Sequence, residues 1–316
     1  MGAFRSIAIV GAGLVGSGWA IVFARSGASV SVYDADAAIR GSVLDRIEAS
    51  LEEMRAVGLV EAVAPVLARI TVADTLADAV RDADYVQESV FERTDVKTAI
   101  SLEIDASMRP DAVVGSSSSG IPASAFTEGC RNRARFLIAH PVNPPHLVPL
   151  VELVPAPWTD PAIVPVLRAE MEAAGQVAIV VNREIEGFIL NRLQGALLNE
   201  AWALYESGYA SAADIDATVA HGLGLRWSFM GPFETIDLNA PGGVADYARR
   251  LGPLYHSVAL DRTAPRPWSD DLVARVETER RALLPQADLA ARRAWRDARL
   301  MRLVAHKRQT AKEAGP

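Results

Sequence analysis

The chain has 316 residues, of which 50% are hydrophobic and 22% are charged. This length and composition predict about two folded domains and exclude an intrinsically disordered protein. The formal net charge of −7 at pH 7 makes a nucleic acid or an anionic membrane a poor partner.

The cysteine content and the distribution of apolar residues indicate the cellular compartment of the protein. Cys130 is the one cysteine of the chain, so no internal disulfide can form and a reducing compartment is indicated. We find no run of about 20 uncharged apolar residues and expect no membrane span. No secretory signal precedes the first predicted strand. We therefore expect a cytoplasmic protein, and no pattern in the sequence predicts a metal site.

Strand-like and helix-like segments alternate from the start of the chain to Val181. Short apolar runs predict strands at Ser6–Val10, Ser29–Tyr33, Ile70–Val72, Tyr85–Glu88, 112–115, 136–139, 151–153 and Val177–Val180. Helices are predicted over Leu14–Ser26, 37–57 and 60–68. This alternation predicts an α/β fold with an open, mostly parallel sheet that carries helices on both faces.

Helical patterns follow from Gly187 to the C-terminus, with loops predicted at 222–224, 231–232 and 241–243. We place one domain over residues 1–184 and an all-helical domain over residues 185–316. The segment 288–308 is rich in Arg and Ala and predicts a helix. Its charge fits a nucleic-acid-binding arm or a solvated helix face, and the acidic balance of the whole chain favours the second interpretation.

A glycine loop lies between the first predicted strand and the first predicted helix. Gly11, Gly13 and Gly16 match the pattern G-x-G-x-x-G in that context. The first glycine permits a tight turn, the second lets a pyrophosphate approach the backbone, and the third lets the helix pack closely on the strand. The N–H groups around Leu14 and Val15, at the helix start, then face the phosphates. The N-terminal domain is therefore predicted to be a doubly wound, Rossmann-type, dinucleotide-binding domain.

An acidic residue ends the second predicted strand. Asp34 follows Gly16 by 18 residues, and a carboxylate there accepts hydrogen bonds from the adenosine ribose and repels a 2′-phosphate. NAD is therefore favoured over NADP. A glycine turn with an unrelated surface Asp is the alternative, which the agreement of strand, loop, helix and acid disfavours. FAD uses a similar loop, but no further flavin signature is present.

Polar residues accompany three predicted strands at the edge where open α/β sheets bind ligands. Serines 116–119 follow one strand, His140 and Asn143 follow the next, and Glu152 lies in the third. An imidazole exchanges protons near neutral pH, which suits a general base, and a nearby carboxylate fixes its tautomer. A lone histidine at a strand end is more often structural, so the hypothesis depends on the pairing of His140 with Glu152.

Longer motifs surround these residues and run nearly from end to end of the chain. They are HPVNPPHLVPLVELVP (140–155), EIEGFILNRLQ (184–194), EAW (200–202), GLGLRWSFMGPFET (222–235) and AARRAWRDARLMRLVAHKRQ (290–309). Together they resemble the L-3-hydroxyacyl-CoA dehydrogenase superfamily, and within it the branch of λ-crystallin, which is also L-gulonate 3-dehydrogenase. The L-carnitine dehydrogenases are similar but more distant. The resemblance implies NAD-dependent oxidation of a 3-hydroxy group and a homodimer joined through the helical domain.

The resemblance also implies roles for individual residues. His140 matches the catalytic histidine, and Glu152 matches its partner. Ser119 matches the serine that hydrogen-bonds the reacting oxygen, and Asn191 matches the asparagine that reaches in from the first helix of the second domain.

Further contacts are implied on either side of the reacting centre. In VQESVFERTDVK (86–97), Glu92 and Lys97 match positions that contact the nicotinamide half of NAD. Asn143, in the motif that begins with His140, is a further predicted substrate contact.

The substrate class follows from the excursion between the second and third strands. The CoA-utilising relatives carry a lysine-rich segment there, whereas residues 50–71 contain no lysine and only Arg55 and Arg69 as basic residues. Phosphates of CoA would gain little from this segment, so a free hydroxy acid is predicted. Arg226 is the candidate carboxylate clamp, because a guanidinium binds a carboxylate bidentately; a surface arginine that caps a helix is the equal alternative.

Several substrates and one non-enzymatic role stay open. L-gulonate is the leading substrate, although His146 stands where an aromatic hydroxyl is expected in that branch. L-Carnitine needs an aromatic cage, which Trp227 and Phe229 could form, or these two residues belong to the core. A short-chain 3-hydroxyacyl-CoA ester is the third substrate, and a crystallin-like, NADH-binding structural protein is the alternative from another class.

Overall fold

The first part of the chain forms an eight-stranded sheet. The computed structural model describes residues 4–260 and 267–313, and its strand order is β3-β2-β1-β4-β5-β6-β7-β8. The strands are β1 (Ser6–Val10), β2 (Ser29–Tyr33), β3 (Ile70–Val72), β4 (Tyr85–Glu88), β5 (Val113–Ser116), β6 (Phe136–Pro141), β7 (Leu150–Pro155) and β8 (Val177–Val180). All neighbouring strands are parallel except β6 and β7, which are antiparallel. The predicted α/β class with a mostly parallel sheet is confirmed.

Helices cover both faces of this sheet. Its central strands are therefore buried on both sides, and their sequences are continuous apolar runs rather than alternations of apolar and polar residues. They are α1 (Leu14–Ser26), α2 (Ala37–Ala56), α3 (Ala64–Leu67), α4 (Leu76–Val80), α5 (Thr94–Ser107), α6 (Ser124–Thr127) and α7 (Ile163–Ala173). One face packs Trp19 and Phe23 of α1 with residues of α2 and β1, and the other packs α4 and α5 against β4 and β5. These two apolar layers fix the strand ends at which the site lies.

Helices make up the rest of the described chain. They are α8 (Leu190–Glu206), α9 (Ala212–Thr218), α10 (Gly224–Trp227), α11 (Pro232–Leu238), α12 (Gly243–Leu260), α13 (Asp270–Leu283) and α14 (Leu289–Glu313). The breaks predicted at 231–232 and 241–243 occur between helices. No helix of the described residues is long and apolar enough to cross a membrane.

Two sequence predictions about helices were wrong. The helix predicted over 60–68 is only the single turn of α3. The loop predicted at 222–224 is helical, because a π-helical turn at Val219–Leu223 runs into α10. A Cβ atom on Gly224 would lie 2.9 Å from the carbonyl oxygen of Val219. That glycine therefore serves a close backbone approach within a helix rather than a loop.

The chain divides into two compact units. Unit 1 comprises the chain up to Leu193 together with the chain from Arg292 onward, and unit 2 comprises Gln194–Ala291. The domain boundary after residue 184 stays a prediction. Helix α14 belongs to unit 1, because its Met301 and neighbouring apolar residues pack on the core of that unit.

The cysteine is a core residue of unit 1. Cys130 is buried and forms no disulfide. Burial and the negative charge of Asp105 raise the pKa of its thiol to about 12, so the thiolate that reactive cysteines need does not form near neutral pH.

Candidate active site

The glycine loop joins β1 to α1 at the carboxyl end of the sheet. Gly11 has a φ of +94°, and a Cβ atom there would lie 2.6 Å from the carbonyl oxygen of Ser89. A Cβ atom on Gly16 would collide with the carbonyl oxygen of Gly11, whereas one on Gly13 would meet nothing within 4 Å. Two glycines are thus required by the fold itself, and Gly13 leaves an open backbone edge for a ligand.

Helix α1 begins at that open edge. Its first N–H groups, at Leu14 and Val15, have no partners within the helix. The side chain of Leu14 is 70% exposed, so solvent reaches the start of the helix. The positive end of the helix dipole and these donors suit a phosphate group.

Asp34 lies directly beside the glycine loop. Its Oδ2 accepts a hydrogen bond of 2.7 Å from the backbone N–H of Ala12, and its Oδ1 accepts one of 2.9 Å from Asp36. The parallel register of β1 and β2, with Val10 opposite Tyr33, brings the acid to the loop. An open glycine edge, a free helix start and a carboxylate at the next strand fit the pyrophosphate and adenosine ribose of a dinucleotide.

His140 and Glu152 face each other across the antiparallel strands β6 and β7. Nδ1 of His140 lies 2.7 Å from Oε2 of Glu152. The histidine is 5% exposed and the glutamate is fully buried. Because Nδ1 is engaged by the carboxylate, Nε2 is the ring nitrogen available to a substrate.

The second oxygen of Glu152 holds the start of α8. Oε1 accepts hydrogen bonds from the backbone N–H groups of Ile189 and Leu190, at 2.9 and 3.0 Å. Burial by itself raises the pKa of this carboxyl, but the hydrogen bond with His140, the two backbone donors and the imidazole charge lower it below its ordinary value. Glu152 therefore stays ionised beside the imidazole and ties it to the first turn of α8.

Phe188 is a site residue that the sequence reasoning missed. Its ring is fully buried, and its centroid lies 5.6 Å from that of His140. Its φ of +49° is rare for a bulky side chain. Phe188 belongs to the motif GFILN (187–191), but no pattern in the sequence predicts that its ring packs on the imidazole.

Ser119 and Asn191 are in contact. Nδ2 of Asn191, in the first turn of α8, donates a hydrogen bond of 2.5 Å to the backbone oxygen of Ser119. The side chain of Ser119 is exposed, so its hydroxyl is accessible at the end of β5.

An ion cluster of Glu92, Lys97 and Glu88 contacts the serine loop. Oε1 of Glu92 accepts hydrogen bonds from the Ser118 hydroxyl at 2.7 Å and from the backbone N–H groups of Ser119 and Gly120 at 2.9 and 3.1 Å. Nζ of Lys97 lies 3.5 Å from Oε2 of Glu92. Burial raises the pKa of Glu92, but the Ser118 bond, the charge of Lys97 and the backbone donors lower it below its ordinary value.

Lys97 lies in the interior of unit 1, and its predicted contact with NAD stays a prediction. It is fully buried and lies 3.1 Å from both carboxylate oxygens of Glu88, which is itself buried and also accepts a hydrogen bond from Ser116. The ammonium group therefore contacts carboxylates under the loop rather than an open surface. Glu88 had no place in the sequence reasoning, because pairing across 9 residues of a strand, loop and helix leaves no local signal.

The remaining predicted substrate contacts are exposed residues. Asn143 is exposed in the loop between β6 and β7. Arg226 belongs to unit 2, where it is exposed in the last turn of α10, and its backbone oxygen accepts from Phe229 and Met230. Trp227 is 41% exposed and Phe229 68%, so neither is a core residue.

Models of one protein family match almost the whole chain. The NAD-binding domain of 3-hydroxyacyl-CoA dehydrogenase matches residues 6–185, and the C-terminal domain of 3-hydroxyacyl-CoA dehydrogenase matches residues 187–283. The chain belongs to the 3-hydroxyacyl-CoA dehydrogenase family. It is therefore an NAD-dependent oxidoreductase, and NAD is the cofactor that the glycine loop and Asp34 fit.

Individual relatives of this family carry different names. Lambda-crystallin of Oryctolagus cuniculus is 38% identical over 96% of both chains. L-Carnitine dehydrogenase of Streptomyces coelicolor is 38% identical over 83% of this chain and 82% of its own. Among solved structures, 5-formyl-3-hydroxy-2-methylpyridine 4-carboxylic acid 5-dehydrogenase, an NAD+-dependent dismutase, aligns with a TM-score of 0.79 at 27% identity, covering 95% of this chain and 98% of that one.

Proposed function

We propose that this dehydrogenase oxidises the 3-hydroxy group of a small free hydroxy acid to the 3-keto acid, with L-gulonate as the leading substrate. The observation that carries the proposal is the buried contact of 2.7 Å between His140 and Glu152. A base held in one tautomer by an ionised partner is the device that removes a proton from a secondary alcohol.

His140 acts as the general base. NAD, when bound, supplies the acceptor for the hydride that leaves C3 of the substrate. Nε2 of His140 takes the hydroxyl proton as the C–O bond gains double-bond character. Glu152 stabilises the imidazolium that results, because its negative charge lies against Nδ1.

Ser119 and Asn191 orient the reacting oxygen in this proposal. The hydroxyl of Ser119 is accessible, and Asn191 is held next to it by its bond to the Ser119 carbonyl. Donors placed before the reaction stabilise a developing carbonyl oxygen without reorganisation. Asn143, exposed beyond His140, is a further substrate contact in this proposal.

In this proposal, NAD contacts the glycine loop with its pyrophosphate and the ion cluster with its nicotinamide half. We assign the pyrophosphate to Gly11, Gly13, Gly16 and the helix start at Leu14 and Val15. The 39% exposed carboxylate of Glu92 can reach the nicotinamide half, as the resemblance implies. Lys97 instead acts through Glu92, since it is buried.

One observation favours a free acid over a CoA ester. The excursion over 50–71 carries no lysine for the CoA phosphates. Arg226 is proposed as the clamp for the carboxylate.

L-Carnitine is the second candidate. Trp227 and Phe229 are exposed next to Arg226 in sequence, as faces that bind a trimethylammonium group must be. A short-chain 3-hydroxyacyl-CoA ester is the third candidate, and a crystallin-like NADH-binding role is the non-enzymatic alternative.

We also propose a cytoplasmic homodimer joined through the helical C-terminal part. In the described chain, α8, α9, α10 and α12 contain no buried residue. Large apolar side chains are exposed instead, among them Leu198, Leu225, Phe229, Phe233, Leu238, Leu254, Tyr255 and Val258. Helices that bury nothing and expose many large apolar side chains are typical of a chain that associates with a second copy. The single buried cysteine fits a reducing compartment.

A substrate panel tests the proposal. L-Gulonate, L-carnitine, 3-hydroxybutyrate and 3-hydroxybutyryl-CoA are each incubated with NAD, and NADH absorbance is followed. We expect the highest kcat/KM with L-gulonate. Faster turnover of the CoA ester would reject the free-acid assignment, and binding of NADH without turnover of any of the four would favour the structural role.

A further inference from the structure

Two arginines of unit 1 meet at a cavity without acidic partners. Arg25 lies half-buried in the last turn of α1, and Arg308 lies on α14. Both line the same cavity of about 230 Å³. Within residues 4–260 and 267–313, neither guanidinium is in an ion pair or a hydrogen bond, whereas Arg55 and Arg168 pair with a glutamate on their own helix.

The cavity has a positive rim and an apolar floor. No aspartate or glutamate is among the described residues that line it. Val22, Leu147 and Val304 form part of the floor. Such a chamber attracts an anion, because low-dielectric walls focus the field of the cations.

The pKa values of two side chains at the cavity are lowered by the neighbouring positive charges. Burial and the charge of Arg308 lower the pKa of Arg25 to about 10. Burial and the charge of Arg25 lower the pKa of His146 to about 4, against the opposing charge of Asp297. A half-buried cation such as Arg25 beside a second, exposed cation is unfavourable unless a counter-charge joins them.

We propose that this cavity binds a phosphate group, held between the guanidinium forks of Arg25 and Arg308. A guanidinium matches the oxygens of a phosphate bidentately. Two arginines balance the double charge of a phosphate better than the single charge of a carboxylate. The ligand is inorganic phosphate or a small phosphate monoester, and the floor gives room for the carbon part of an ester.

The proposed phosphate site is lined in part by the loop that joins the two strands of the candidate active site. His146 and Leu147 belong to the loop that joins β6, which carries His140, to β7, which carries Glu152. Gln176, which is buried and also lines the cavity, donates a hydrogen bond of 3.5 Å from Nε2 to the backbone oxygen of Pro145 in that loop. A bound phosphate would thus join α1, this loop and α14.

Calorimetric titration of the NADH-loaded enzyme tests the site. Saturating NADH occupies the glycine loop, so that phosphate cannot bind there. Inorganic phosphate, glycerol 3-phosphate and acetate are titrated at constant chloride into the wild type and into Arg25→Gln, Arg308→Gln and Arg293→Gln. Arg293 is an exposed arginine of α14 that does not line the cavity, so it controls for the change in net charge.

We expect one phosphate or phosphate ester per chain, bound more tightly than acetate. Binding should weaken about tenfold or more in Arg25→Gln and in Arg308→Gln, since each loses charge-assisted hydrogen bonds, and should be unchanged in Arg293→Gln. Preference for the ester would identify a phosphorylated metabolite as the source, and equal binding would identify free phosphate.

A second readout covers variants that fold poorly. Phosphate should raise the Tm of the wild type and of Arg293→Gln, and raise it less in Arg25→Lys, which keeps the charge but loses the fork. Absence of phosphate binding in the wild type, or equal weakening in Arg293→Gln and Arg25→Gln, would overturn the proposal.

Discussion

Glu152 serves two partners with its two oxygens. One oxygen fixes the imidazole of His140, and the other receives the backbone donors of Ile189 and Leu190. The same residue therefore controls the tautomer of the base and the place where α8 begins. Asn191 lies in that first turn, so the contact that orients the base also positions a residue for the reacting oxygen.

Glu152→Gln should lower both turnover and stability. The amide cannot stabilise an imidazolium, and one buried hydrogen bond to a charged group is lost, so we expect a loss of about 1–3 kcal/mol at neutral pH. Because the folded-state pKa lies below the ordinary value of 4.5, the carboxylate stabilises the fold above about pH 4.5, and this contribution is lost as the pH falls further.

Urea unfolding of the wild type and of Glu152→Gln at a series of pH values measures this effect. The difference in the free energy of unfolding between the two proteins should shrink as the pH falls through the acid range. A difference that stays constant from neutral to acid pH would show that the carboxylate charge is not what stabilises the contact.

At the scale of elements, two glycines of the loop between β1 and α1 have different roles: Gly16 is needed by the fold, and Gly13 is needed by the ligand. Gly16→Ala should destabilise the protein, because the new methyl group collides with the Gly11 carbonyl. Gly13→Ala should fold normally, because a Cβ atom there meets nothing within 4 Å, but it should bind NAD at least tenfold more weakly, since the pyrophosphate approaches that edge.

Thermal unfolding and NADH fluorescence titration of the two alanine variants distinguish these effects. Equal losses of Tm in both variants, or unchanged NADH affinity in Gly13→Ala, would contradict the assignment of the loop.

Most elements of the sheet could be predicted from the sequence, because buried parallel strands are short apolar runs with clear breaks. The antiparallel pairing of β6 with β7 was not predicted, because short buried strands carry no sign of their direction in the sheet. The ion pair of Glu88 with Lys97 and the packing of Phe188 on His140 could not be predicted. Each contact joins two elements that are distant in the sequence, and no local sequence pattern indicates that the elements lie side by side. Gly222 and Gly224 led to the wrong prediction of a loop at 222–224. In the structure this segment is helical, and a close backbone approach inside the helix requires Gly224.

At the scale of the whole molecule, unit 2 lacks an adequate core of its own. Among its described residues only Thr235, Ala240 and Leu272 are buried. A unit of this size needs more buried apolar surface to be stable. The proposed homodimer would supply it.

Leu254→Asp tests the homodimer. Leu254 and Val258 are exposed one turn apart on α12, and a carboxylate between apolar surfaces is unfavourable without a partner. We expect sedimentation velocity to show a dimer for the wild type and a shift towards monomer or aggregate for the variant. Arg249→Gln, an exposed polar position on the same helix, should stay dimeric; a monomeric wild type would reject the homodimer.

The central claim is that His140 is the base of an NAD-dependent oxidation, and the turnover of His140→Gln tests it most directly. Removal of a general base lowers turnover by about two to four orders of magnitude. We predict a fall of that size in kcat, followed by NADH absorbance with the best substrate of the panel, while NADH affinity measured by fluorescence stays unchanged. Turnover near that of the wild type would contradict the account.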